Sequence, residues 1–103
     1  MTGYSPARQS RKYSVERRAI TIVNELGLHA RAAAKFVTLA SQFESDIRVG
    51  RGNQEINGKS IMGLMMLAAN QGSIINIITS GNDEKEAIQK LEELVQQRFG
   101  ENS

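Results

Sequence analysis

The 103-residue chain has no cysteine and no tryptophan, one histidine (His29), one proline (Pro6) and five aromatic residues. The missing cysteines exclude disulfides, thiolate metal sites and cysteine nucleophiles. A lone histidine leaves no basis for a multi-histidine metal centre. No apolar run approaches the ~18 residues of a membrane span, and no signal-peptide hydrophobic region is visible. A cytoplasmic location is expected. Charge is nearly balanced overall but uneven along the chain. Residues 1–18 hold Arg8, Arg11, Lys12, Arg17 and Arg18 against Glu16 alone, so the basic excess belongs to the start and the body is slightly acidic.

What is present fits one domain with a single core. Residues 1–14 are polar and aperiodic and read as a flexible basic tail, leaving 15–103 as the folded domain. Residues 18–23, with Ile20, Ile22 and Val23, read as a first strand. From Ala30 to Gln42, Phe36, Leu39 and Ala40 keep helical spacing toward Phe43, and Ala33 and Val37 widen the stripe. Asp46 to Arg51 alternates and reads as a strand. Gly52-Asn53 is a hairpin turn, and Gln54 to Asn57 returns. Ser60 caps a second helix reaching Ala68 or Ala69, with Leu64, Leu67 and either Ile61 or Ala68 on its buried side. Ser73 to Thr79 is β-branched and nearly continuous, as an interior strand would be. Asp83 to Phe99 makes a final helix, with acidic residues at its start. The order β-α-β-β-α-β-α suits an α+β fold, with a four-stranded antiparallel sheet and three helices on one face.

The chemistry concentrates in Gly27-Leu28-His29-Ala30-Arg31-Ala32-Ala33. A helix start leaves backbone N–H groups without intrahelical partners and carries partial positive charge, which suits an anion. The alanines let a large partner approach the imidazole, a nucleophile available near neutral pH. Arg31 adds a planar cation able to pair phosphate oxygens. Together these point to a phosphoryl group held on His29.

These residues resemble the active-site motif of the HPr family, the histidine-containing phosphocarriers of the bacterial phosphotransferase system. Asn57-Gly58-Lys59-Ser60-Ile61-Met62-Gly63-Leu64-Met65 resembles the family's second signature, around a regulatory serine. The spacing of the motifs and the order of elements agree, and the resemblance spans about residues 17–100. It implies the HPr-like open-faced β-sandwich. It implies that His29 takes phosphate on Nδ1 from phosphorylated enzyme I, loaded by phosphoenolpyruvate, and passes it to enzyme IIA-type acceptors. Arg31 would stabilise the phosphate. Ser60 would be the site of an HPr kinase/phosphorylase, and Ala30, Arg31, Ile61, Met62 and Met65 the partner-binding patch. The protein would be a stoichiometric carrier, not an enzyme, with no cofactor or metal, no nucleic-acid partner, no membrane insertion and a monomeric state. One departure stands out: Ala32 occupies the position where the family usually has proline. Alanine leaves the helix start less constrained.

The sequence admits two other readings. A nitrogen-type regulatory paralogue would use the same site for signalling. An RNA-binding sheet would need aromatic residues on its strands, and none of the five falls on a predicted strand.

Overall fold

A computed structural model describes residues 14–103, so the tail expected over 1–14 lies outside the described residues except for Ser14. The elements are β1 (Val15–Thr21), α1 (Ala30–Ala40), β2 (Asp46–Arg51), β3 (Gln54–Asn57), α2 (Ile61–Met66), β4 (Ile74–Ser80) and α3 (Glu84–Gln96), followed by a 3-10 turn (Arg98–Gly100). The sheet order is β1-β4-β2-β3 and every neighbouring pair is antiparallel. This is the α+β open-faced sandwich expected, with three helices on one face of four strands.

Alternation along the strands decides which face is covered. Ile20 pairs with Ile75 and Val49 with Ile77, and all four are buried. The next residues along β4 turn outward, and Ile74 is 58% exposed. β4 is therefore interior to the sheet but buried on one face only, although its sequence reads as nearly continuous apolar. The helices close the inner face with Ala32, Ala33, Phe36 and Ala40 of α1, Leu64 of α2, and Ala87, Ile88, Leu91 and Val95 of α3. The described aromatics, Phe36, Phe43 and Phe99, are all buried in this core. Among the described residues the open face of the sheet carries no aromatic ring.

Several boundaries differ from the periodicity. β1 starts earlier than expected, because Val15, Glu16 and Arg17 pair with Ser80, Thr79 and Ile78. Ile22 is buried beyond the strand's end and exchanges hydrogen bonds with Ser73 and Gly72. α1 stops at Ala40. α2 stops at Met66, and Ala68 turns out at φ +50. Arg51 Nη1 donates to the Leu67 and Ala68 carbonyls at 3.0 and 3.3 Å. Ile61 and Ala68 are exposed, and Ala69 takes the core place suggested for them. α3 stops at Gln96, and Phe99 reaches the core through a left-handed backbone conformation at φ +54, not through helical spacing.

Asp83 precedes α3 without capping it. Its carboxylate instead accepts from the Ser45 hydroxyl at 2.5 Å and from the Ser45 and Glu44 amides at 3.0 Å each, pinning the turn before β2 to the start of α3. The Ser45 hydroxyl bond is the main force holding the Asp83 carboxyl below its ordinary value of 3.8; burial opposes it, and the amide bonds add to it. A carboxyl lowered by folding contributes stability that is complete above the unfolded value and lost as pH falls through the folded one. Denaturation midpoints measured from pH 6 to pH 2 should therefore fall more steeply below pH ~4 in the wild type than in Asp83→Asn.

Candidate functional site

The loop between β1 and α1 is fixed before the histidine is reached. Gly27 sits at φ +72, and a Cβ there would lie 2.7 Å from the Ala69 carbonyl oxygen. Only glycine satisfies both the backbone angle and the space. The Leu28 amide then donates to that same Ala69 oxygen at 2.9 Å, tying the loop to the segment after α2. Asn24, fully buried, donates through Nδ2 to the Gly27 carbonyl at 2.8 Å.

His29 is the N-cap residue of α1, in extended conformation and without a side-chain cap bond. The first helical hydrogen bond runs from the Ala33 amide to the His29 carbonyl at 2.8 Å. The amides of Ala30, Arg31 and Ala32 precede that ladder and have no intrahelical acceptor. The imidazole is thus free of a capping duty. Its Nε2 lies 2.5 Å from Glu101 Oε2, and the two side chains are 29% and 16% exposed. Glu101 Oε1 accepts from Asn24 Nδ2 at 3.0 Å. Burial raises the Glu101 carboxyl. The hydrogen bonds from His29 and Asn24, with the charges of His29 and Lys35, outweigh that and hold it below its ordinary range.

Arg31 is exposed in the first turn, and among the described residues its guanidinium has no hydrogen-bond or ion-pair partner. Ala32, where the resembled motif has proline, is completely buried. Lys35, one turn on, donates to the Phe99 carbonyl at 2.8 Å.

Ser60 caps α2, its hydroxyl accepting from the Gly63 amide at 3.0 Å. Asn57 holds the turn before it by accepting from the Lys59 amide at 2.9 Å, and Lys59 Nζ reaches the Phe43 carbonyl at 2.7 Å. α1 and α2 pack against each other. Ile61, Met62 and Met65 are exposed at 41, 76 and 45%, as are Ala30 and Arg31. Leu26 and Met66, not anticipated, are exposed as well. The site is an open surface. The described grooves lie elsewhere, one lined by Glu16, Arg18, Lys85 and Glu92 and the other by Ser14 and residues 81–86. Among the described residues no set of three histidine or acidic side chains is grouped to hold a metal, and no helix is long and apolar enough to cross a membrane.

Sequence reasoning missed Glu101 and Asn24. Asn24 reads as a loop residue, and nothing local connects it to a glutamate 77 positions away. No sequence signal on this chain would have joined them.

Residues 16–97 match the family model described as PTS HPr component phosphorylation site. A phosphocarrier protein HPr from Neisseria meningitidis is 52% identical over 85 residues, covering 82% of this chain and 96% of that protein. A phosphocarrier protein NPr from Shewanella violacea is 40% identical over 84% of this chain and 94% of its own length. Among solved structures, HPr-C-His from Thermoanaerobacter tengcongensis superposes with a TM-score of 0.82 at 45% identity, over 85% of this chain and 99% of its own.

Proposed function

This chain belongs to the HPr family of phosphocarriers of the phosphotransferase system, and on that premise we propose that His29 is its phosphoryl-carrying residue. The observation that carries the reading is the setting of His29. Its imidazole is partly exposed, lies at the start of α1 and is free of any capping role. The amides of Ala30, Arg31 and Ala32, which have no intrahelical acceptor, can donate to phosphate oxygens there, and the uncommitted Arg31 can close on them from solvent. The phosphoryl group would arrive from phosphorylated enzyme I and leave to an enzyme IIA-type acceptor. An open surface suits that relay, because the same histidine must meet two proteins in turn.

Ala30, Arg31, Ile61, Met62 and Met65 form the proposed docking patch. Methionine, flexible and polarizable, fits a surface that serves different partners. Ser60 is the proposed regulatory site for HPr kinase/phosphorylase. Phosphate on its hydroxyl would strengthen the start of α2 while placing negative charge beside the patch. Ala32 in place of proline relaxes the start of α1 and tunes transfer without abolishing it. Service in sugar transport is preferred to a nitrogen-type branch, since the Neisseria HPr is 52% identical and the Shewanella NPr 40%.

Incubation with phosphoenolpyruvate and enzyme I of its own system, followed by mapping of the phosphate, tests the relay. Acid-labile label is expected on the wild type and absent from His29→Ala. A wild type that stays unlabelled with active enzyme I would overturn the reading. In a parallel incubation with ATP and the kinase, acid-stable phosphate is expected on Ser60.

A further inference from the structure

We propose that Glu101 is the positioning residue of His29: its carboxylate keeps a proton on Nε2 and so presents Nδ1, unprotonated, to the incoming phosphoryl group. The proposal rests on His29 being the carrier and adds what makes one ring nitrogen the nucleophile.

An ionised carboxylate only accepts hydrogen bonds. With Glu101 Oε2 2.5 Å from Nε2, the ring must donate at that nitrogen. The alternative tautomer would set two lone-pair-bearing atoms face to face. A neutral imidazole carries one proton, so fixing it on Nε2 leaves the lone pair on Nδ1. Asn24 aims the carboxylate. Its Nδ2 donates both to the Gly27 carbonyl and to Glu101 Oε1. Turning the amide over would face an oxygen toward two acceptors, so its orientation is determined.

Glu101 is delivered to this point by a strap that needs no help from the histidine. Phe99 is buried in the core, its carbonyl accepts from Lys35 Nζ at 2.8 Å, and the Ser103 carbonyl accepts from the Glu25 amide at 3.1 Å. The strap is tethered on both sides of residue 101. The Glu101 carboxylate is therefore free to act on the ring.

During transfer the Nδ1 lone pair forms the new P–N bond. The bond between phosphorus and the N-phosphoryl donor breaks, and its electron pair returns to the donor nitrogen. No proton leaves His29. The positive charge that develops on the ring is shared with Nε2–H, where Glu101 balances it, as a carboxylate behind a nucleophile's histidine does in a hydrolase triad. Phosphoryl delivery runs the same steps in reverse.

The test uses the full chain labelled with ¹⁵N at histidine, in the wild type, Glu101→Gln and Glu101→Ala. A ring N–H resonance correlated with Nε2 and protected from exchange is expected in the wild type and lost in Glu101→Ala. Phosphoryl acceptance from phosphorylated enzyme I should slow by about tenfold to a hundredfold in Glu101→Ala. Glu101→Gln, whose amide oxygen still accepts from Nε2 but lacks charge, should keep the resonance and fall between them in rate. A merely structural role would leave the ring N–H unchanged. A labelled wild type with an equally fast Glu101→Ala overturns this proposal alone. A wild type that takes no phosphate on His29 overturns the carrier reading and this proposal with it.

Discussion

Arg31→Ala is expected to slow phosphoryl acceptance by about a hundredfold while leaving the fold intact. The guanidinium is exposed and has no partner among the described residues, so its removal costs the resting protein little. In the transition state three phosphoryl oxygens carry charge, and the amides at the start of α1 are fixed while Arg31 can move. Loss of one well-placed donor to developing charge typically lowers the rate by about two to three orders of magnitude. Partial exposure to water places this site at the lower end. Arg31→Lys keeps the charge but not the two-pronged geometry, and should recover only part of the rate. Rapid-quench measurement with phosphorylated enzyme I, alongside thermal unfolding, separates the effect on transfer from any effect on the fold. An unchanged rate in Arg31→Ala would remove this residue from the site.

Phe99→Ala is expected to be the most destabilising of the substitutions considered, by about 3–5 kcal/mol. The ring is completely buried against α3 and α1, yet it arrives there through a positive φ that a bulky residue adopts only under constraint. Truncation removes the burial that offsets that backbone cost. For a domain of this size the midpoint of thermal unfolding should drop by more than about 12 °C. The same change should loosen the strap, so that the protected His29 ring N–H weakens even below the unfolding transition. Thermal unfolding followed by the ring N–H signal checks both effects. A midpoint within a few degrees of wild type would show that the strap is held by its polar tethers alone.

The contrast between these two residues shows which features the sequence made legible. The placement of Arg31 is legible because it is local: two positions after the histidine and at a helix start. The Ser60 cap is legible for the same reason, and the Gly52-Asn53 turn joins β2 to β3 as its composition suggests. The stops of α2 and α3 were misplaced because their causes are tertiary. Ala68 leaves the helix at positive φ while Arg51, seventeen residues earlier, reaches its carbonyl. Phe99 satisfies helical spacing on paper but enters the core after the helix has ended. Glu101 lies 72 positions from His29, and only the folded chain brings the two together. β4 shows the reverse error, since four isoleucines in five residues suggest burial on both faces. Ile74 projects outward because no helix covers that side of the sheet.

The central claim is that His29 carries phosphate on Nδ1 while Nε2 keeps its proton toward Glu101. Long-range ¹H–¹⁵N and ³¹P spectra of the enzyme I-phosphorylated, histidine-labelled chain test it most directly. The account expects phosphorus coupled to Nδ1 of His29, with a protonated Nε2. Phosphorus coupled to Nε2, or found on any residue other than His29, would contradict it.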